Sequence, residues 1–105
     1  MTAADNGTIW VIDGNAGNRT ITVPAGLPLG YTFSVYCNSS ANNIIFQFSG
    51  VERLRQGGSV TSVAGTAAYN GATDTGYSVT IRKVSTGFAG TYWGTFGPTG
   101  AMTLT

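Results

Sequence analysis

Residues 19–38, RTITVPAGLPLGYTFSVYCN, constrain this chain more than any other stretch. Two runs of alternating apolar and polar residues are joined by a corner containing two prolines and two glycines. Alternation is the period of a strand with one face in a core and the other in water; a helix repeats every 3.6 residues or so, at about 100° per residue, and cannot sort such a run into faces. In residues 19–23, Ile21 and Val23 point one way and Thr20 and Thr22 the other. In residues 31–38, Tyr31, Phe33, Val35 and Cys37 oppose Thr32, Ser34, Tyr36 and Asn38. Pro24 ends the first run because it brings no backbone donor to a ladder. The corner leaves Leu27 and Leu29 as long apolar side chains on a loop, and one of them is expected to plug an end of the core.

The same device recurs along the chain. Residues 8–13, TIWVID, are nearly continuously apolar and β-branched, which predicts a strand covered on both faces. The Gly- and Asn-rich residues 13–18 then predict a hairpin between that strand and residues 19–23. Residues 43–49 alternate again, with Ile44, Phe46 and Phe48 on one face, and Gly50 separates them from residues 51–56, anchored by Val51 and Leu54. Residues 59–63 and 66–69 read as weaker strands of small residues. Residues 77–84 set Tyr77, Val79 and Ile81 against Ser78, Thr80 and Arg82 and end in the basic doublet Arg82-Lys83. Residues 90–96, GTYWGTF, gather three aromatic rings between glycines; residues 97–100 read as a turn and 101–104 as a last strand. No segment sustains a helical period. About eight to nine short strands, spaced roughly eight to twelve residues apart, predict one all-β domain over residues 1–105: a small antiparallel β-sandwich or barrel with residues 1–7 as a lead-in arm.

Charge narrows the partners. Charged residues make up 9% of the chain, against roughly a quarter in ordinary soluble domains, so Thr, Ser, Asn and Gly supply the polar surface. A net charge of +1 draws neither a phosphate backbone nor an anionic membrane from a distance, and neither nucleic acid nor membrane is expected as a partner. The single cysteine, Cys37, excludes an intramolecular disulfide and, with no histidine present, a zinc site; it is expected to be a buried small hydrophobe beside Phe33 and Val35. No apolar run approaches the ~20 residues of a membrane-spanning helix. The leading residues MTAADNG lack the basic and apolar regions of a signal peptide, which predicts synthesis in a cytoplasm.

Catalytic material is sparse. The carboxylates are Asp5, Asp13, Glu52 and Asp74, far apart in sequence and mostly in turn-like segments, so no enzyme, cofactor or metal is expected. A glycosidase pair of Asp13 and Glu52 is the enzymatic alternative, against which Asp13 reads as a turn former. Asp13-Gly14-Asn15 matches only the opening of a calcium loop, whose closing glutamate is missing. Three Asn-x-Ser/Thr triplets, at Asn6, Asn18 and Asn38, are expected by chance in a chain this rich in Asn, Ser and Thr. Trp10, Tyr92, Trp93 and Phe96 read either as core and subunit-interface aromatics or as a sugar-stacking platform. Arg53 and Arg55 share one strand face, serving either a solvated edge or a salt-bridging contact to a partner subunit.

Residues 2–38 carry a resemblance. The lead-in TAADNGTIWVID, the Gly/Asn loop, RTITVPAG and GYTFSVYCN resemble a β-structured domain of tailed-bacteriophage virion proteins, in which a T-A-x-D-x-G lead-in precedes a strand, a T-I-T-(Leu or Val)-Pro strand end and a glycine-led G-(Tyr or Phe)-T strand. Tyr92-Trp93 stands where such proteins often carry Asn-Trp. The resemblance implies a non-enzymatic virion component, often homotrimeric, found as capsid decoration or cement proteins and at tail-fibre tips. One domain opening on Met1, with no shaft repeat, favours decoration: a homotrimer bridging subunits of the major capsid protein. The alternative is the distal domain of a tail fibre recognising a host surface glycan. On this expectation Tyr92, Trp93 and Phe96 make trimer contacts, while Thr2, Asp5, Leu27, Arg53 and Arg55 meet the capsid or another partner.

Overall fold

In the computed structural model, which describes residues 1–86, 90–97, 100 and 102–105, the strands gather into two sheets packed face to face. They are β1 (Ile9–Ile12), β2 (Arg19–Thr22), β3 (Thr32–Cys37), β4 (Ile44–Gln47), β5 (Glu52–Gln56), β6 (Ser59–Val60), β7 (Thr66–Tyr69), β8 (Ser78–Ser85), β9 (Thr91–Phe96) and β10 (Thr103–Leu104). A 3₁₀ turn, Ala3–Asp5, precedes β1, and one helical turn, α1 (Gly71–Asp74), joins β7 to β8. The first sheet has the order β1-β3-β8-β9-β5-β6 and the second β10-β7-β4-β2. An all-β sandwich is thus the observed fold, with ten strands rather than eight or nine. The expected turn at 97–100 and the start of the expected strand at 101–104 fall partly outside the described residues.

Strand partners depart from the sequence-based expectation. The predicted hairpin of residues 8–13 with 19–23 does not form: β1 runs parallel to β3, and β2 runs parallel to β4 in the other sheet. Alternation tells a strand which face is inward but not which neighbour it has, and here β1 takes an edge beside the longer β3, and β2 an edge beside β4, which matches it in length. The intervening loop crosses between the sheets. The Asp13 side chain accepts from the Asn15 amide (2.9 Å), and Asn18 Oδ1 accepts from the Asn43 amide (2.9 Å). With β5 and β9 also parallel, three of the pairings are parallel and the purely antiparallel expectation is corrected.

Edge placement corrects a second expectation. β1 is covered on one face only: Trp10 and Ile12 turn toward the core, while Ile9 and Val11 remain 73% and 64% exposed. Elsewhere the alternation holds. Phe33, Val35 and Cys37 of β3 and Ile44 and Phe46 of β4 are buried, and the rings of Phe33 and Phe46 meet across the sheets at 6.1 Å between centroids. Trp93 lies at the centre of this layer, its ring within about 6 Å of Tyr31, Phe33 and Phe48. The proline corner behaves as read, with Leu27 plugging the core's end and Leu29 in solvent. Val51, expected as an apolar anchor, is exposed; its inward neighbour in the period-two pattern is Glu52.

Candidate functional surface

Two groups of polar and charged residues organise this sandwich, one sealed inside it and one spread over the outer face of the six-stranded sheet. The inner group follows from phase. Counting back by two from Leu54 puts Glu52 on the inner face, and counting forward by two from Ile81 puts Lys83 there. Glu52 Oε1 accepts from Trp93 Nε1 (2.7 Å), and Oε2 accepts from the Gly26 amide (3.0 Å) and from Lys83 Nζ (3.2 Å). Lys83 Nζ also donates to the Leu27 carbonyl (2.6 Å). A β-bulge at Val84, after which Ser85 rather than Val84 pairs with Tyr92, follows immediately. The charges neutralise each other where solvent does not, and their hydrogen bonds tie the corner at 24–30 to β5, β8 and β9. Sequence reasoning took Glu52 only as an isolated carboxylate and Lys83 only as half of a basic doublet; the missed signal was two opposite charges in phase with core residues.

The remaining carboxylates serve local turns. Asp5 accepts from the Thr2 amide and hydroxyl (2.8 and 3.3 Å), Asp13 from the Asn15 amide, and Asp74 from the Asn70 amide (2.7 Å). Asp13 and Glu52 are not brought together as an acid–base pair: one lies in an exposed loop, the other is buried in an ion pair. Among the described residues no group of three or more His, Cys, Asp or Glu side chains is placed to hold a metal ion.

The outer face of the six-stranded sheet differs in kind. Register aligns Ile9, Ser34, Thr80 and Phe96 in one row across four strands, and Thr32, Arg82, Gly94, Arg55 and Val60 in another. Val11, Tyr36 and Ser78 form a third. Ile9, Val11, Tyr36, Val60, Val84 and Phe96 all belong to this sheet and are all exposed, whereas no strand of the four-stranded sheet exposes a large apolar side chain. Near the β1 edge, Ile9, Ser34, Tyr36, Ser78 and Thr80 line a shallow hollow of about 290 Å³. Arg53, Arg55 and Arg82 stand on the strands either side of β9, with the Arg55 guanidinium 3.8 Å from the centroid of the Tyr92 ring.

The residues expected at interfaces divide accordingly. Tyr92, Phe96, Arg53 and Arg55 share the outer face. Trp93 does not: fully buried, its ring is packed in the core and its N–H is held by Glu52, so it has no surface to give a trimer contact or a sugar. Leu27, expected at a partner, is likewise buried, and Leu29 is the exposed leucine of that corner. Thr2 and Asp5 lie in the N-terminal turn, where the Thr2 carbonyl accepts from the Tyr31 hydroxyl. Trp10 is half-buried, with its indole N–H unpartnered among the described residues. No family model, curated protein or solved structure matches the chain.

Proposed function

We propose that this protein is a non-enzymatic virion structural protein of a tailed bacteriophage, a capsid decoration or cement protein that acts as a homotrimer and docks on the shell through its six-stranded sheet. One observation carries the reading: the exposed apolar side chains of the strands are confined to one sheet face, while the four carboxylates are sealed in the core or bound in turns. The resemblance of residues 2–38 to phage virion domains supplies the setting. Self-association is assigned to the uncharged β1 side of the face, at Ile9, Val11 and Tyr36, and several such rigid contacts on one shell add through multivalency.

Light scattering at micromolar concentration tests the assembly, with three times the 10.8 kDa chain mass expected; co-sedimentation with shells lacking the protein tests the docking. A monomer that also fails to bind shells sinks the proposal. The second reading, a tail-fibre tip that binds a host glycan, is favoured by the half-exposed Phe96 ring on the same strand face as Tyr92. A specific glycan-array hit lost in Phe96→Ala selects that reading.

A further inference from the structure

The outer face is not uniform, and its charged half points to the chemistry of its partner. β9 lies between β8 and β5, and its outward residues are Tyr92, Gly94 and Phe96. Gly94 is flanked in register by Arg82 on one side and Arg55 on the other. A Cβ there would lie 3.5 Å from Val84 and 3.7 Å from Phe96, ordinary contact distances, so these two exposed apolar side chains flank Gly94 and form with it a small apolar spot, the dimple of the outer face, between two cationic strands. Three of the chain's five basic residues, Arg53, Arg55 and Arg82, are on this face, and none forms an ion pair among the described residues. No carboxylate shares the face: Glu52 points inward from β5, and Asp5, Asp13 and Asp74 lie outside these strands.

We infer that this half of the sheet docks an acidic protein segment, one apolar side chain of which seats over Gly94 while its carboxylates pair with Arg55, Arg82 and Arg53. A second copy of this chain fits poorly. Face-to-face contact opposes arginine to arginine, and the three aspartates a neighbouring copy has to offer already accept hydrogen bonds from their own turns. A phosphate backbone matches the charge but not the exposed Val84 and Phe96, which it leaves in water. Guanidinium forks suit carboxylates in two-pronged pairs, and the apolar dimple supplies area that ion pairing alone does not. The inference rests on the docking face proposed above and names what that face recognises.

Backbone amide spectra of the full chain test it, titrated with a synthetic peptide of alternating glutamate and leucine. Shifts concentrated in residues 53–55, 82–84 and 92–96, weakened at least tenfold by Arg55→Glu/Arg82→Glu and by half-molar salt, support the inference. Gly94→Ala, which fills the dimple at contact distances the fold accepts, is expected to weaken binding without moving the melting temperature. An equal response to a lysine–leucine peptide, no response at millimolar peptide, or tighter binding of a thymidine oligonucleotide at the same residues overturns it. The two proposals fail separately. Shell binding that survives Arg55→Glu/Arg82→Glu overturns the inference alone, whereas peptide binding at the dimple with no affinity for shells overturns the decoration reading alone.

Discussion

Glu52 and Lys83, 31 residues apart in sequence, meet at 3.2 Å in the interior of the sandwich with their side chains 5% and 3% exposed. Such a pair adds little net stability over an apolar pair of equal volume, but breaking it strands a charge. The carboxylate has two further donors, the Trp93 indole and the Gly26 amide, while the ammonium has one further acceptor, the Leu27 carbonyl. Glu52→Leu is therefore expected to cost about 3–5 kcal/mol in urea unfolding and Lys83→Met less. The double variant should be more stable than the sum of the two losses predicts; strict additivity would show that the pair is not coupled.

Alkaline stability should report on Tyr69. Its hydroxyl is buried without a hydrogen-bond partner, and burial, with Asp74 nearby as the next cause, pushes its pKa from 10.0 up to about 12. The unfolded chain loses this proton first, so the Tyr69 contribution to stability is constant below pH 10 and falls as pH rises from 10 toward 12. Tyr31 shifts in the same direction, by burial and by Asp5. Tyr69→Phe removes an unsatisfied hydroxyl and should leave stability at pH 7 unchanged or higher while flattening the alkaline decline. A loss above about 1 kcal/mol at pH 7 would reveal a hydrogen bond to that hydroxyl.

Gly71, at the start of α1, is a close-approach position. A Cβ there would lie 2.0 Å from the Asn42 carbonyl oxygen and 2.7 Å from Ser39 Oγ. The obstacle is backbone, so Gly71→Ala must push α1 off the 39–42 turn and should cost about 2–3 kcal/mol. Gly58→Ala, with nothing within 4 Å of the new methyl, is the control and should change the melting midpoint little.

The proposed trimer places its subunit contact at the β1 edge. Ile9→Thr/Val11→Thr keeps β-branched residues in the strand and removes apolar area already in water, so unfolding free energy should move by no more than about 0.5 kcal/mol. Light scattering should then show a monomer. A trimer that persists in this variant moves the subunit contact elsewhere.

Much of the sandwich was legible in residues 19–49, because period-two alternation assigns Tyr31, Phe33, Val35, Ile44, Phe46 and Phe48 to the core without reference to partners. Pairing was not legible. The turn chemistry at 13–18 suits a hairpin as well as a crossover, and what decides is that β3 and β4, in different sheets, each offer an edge, to β1 and to β2 respectively. Burial at Glu52 and Lys83 was hidden for a different reason: a charge in a strand argues for the solvent face until a counter-charge from a distant strand is known. Arg53 and Arg55 were legible as sharing a face; that Arg82 joins them, and that their surroundings hold no carboxylate, depends on β8 and β5 flanking β9, which only the sheet order provides.

That sheet order also sets when the protein can come into being. β9 is the strand that joins β5 to β8, so through residue 90 a growing chain has two halves of a sheet with nothing between them. The parallel β5–β9 pairing, which sets Glu52 beside Thr91 across a long stretch of chain, closes slowly and has no tight turn to nucleate it. The arginine-bearing half of the outer face and the buried Glu52–Lys83–Trp93 cluster are both completed by the same late event, the insertion of residues 91–96. A chain released before that point lacks both the Trp93 hydrogen bond that completes the buried cluster and the strand that joins the two arginine-bearing strands.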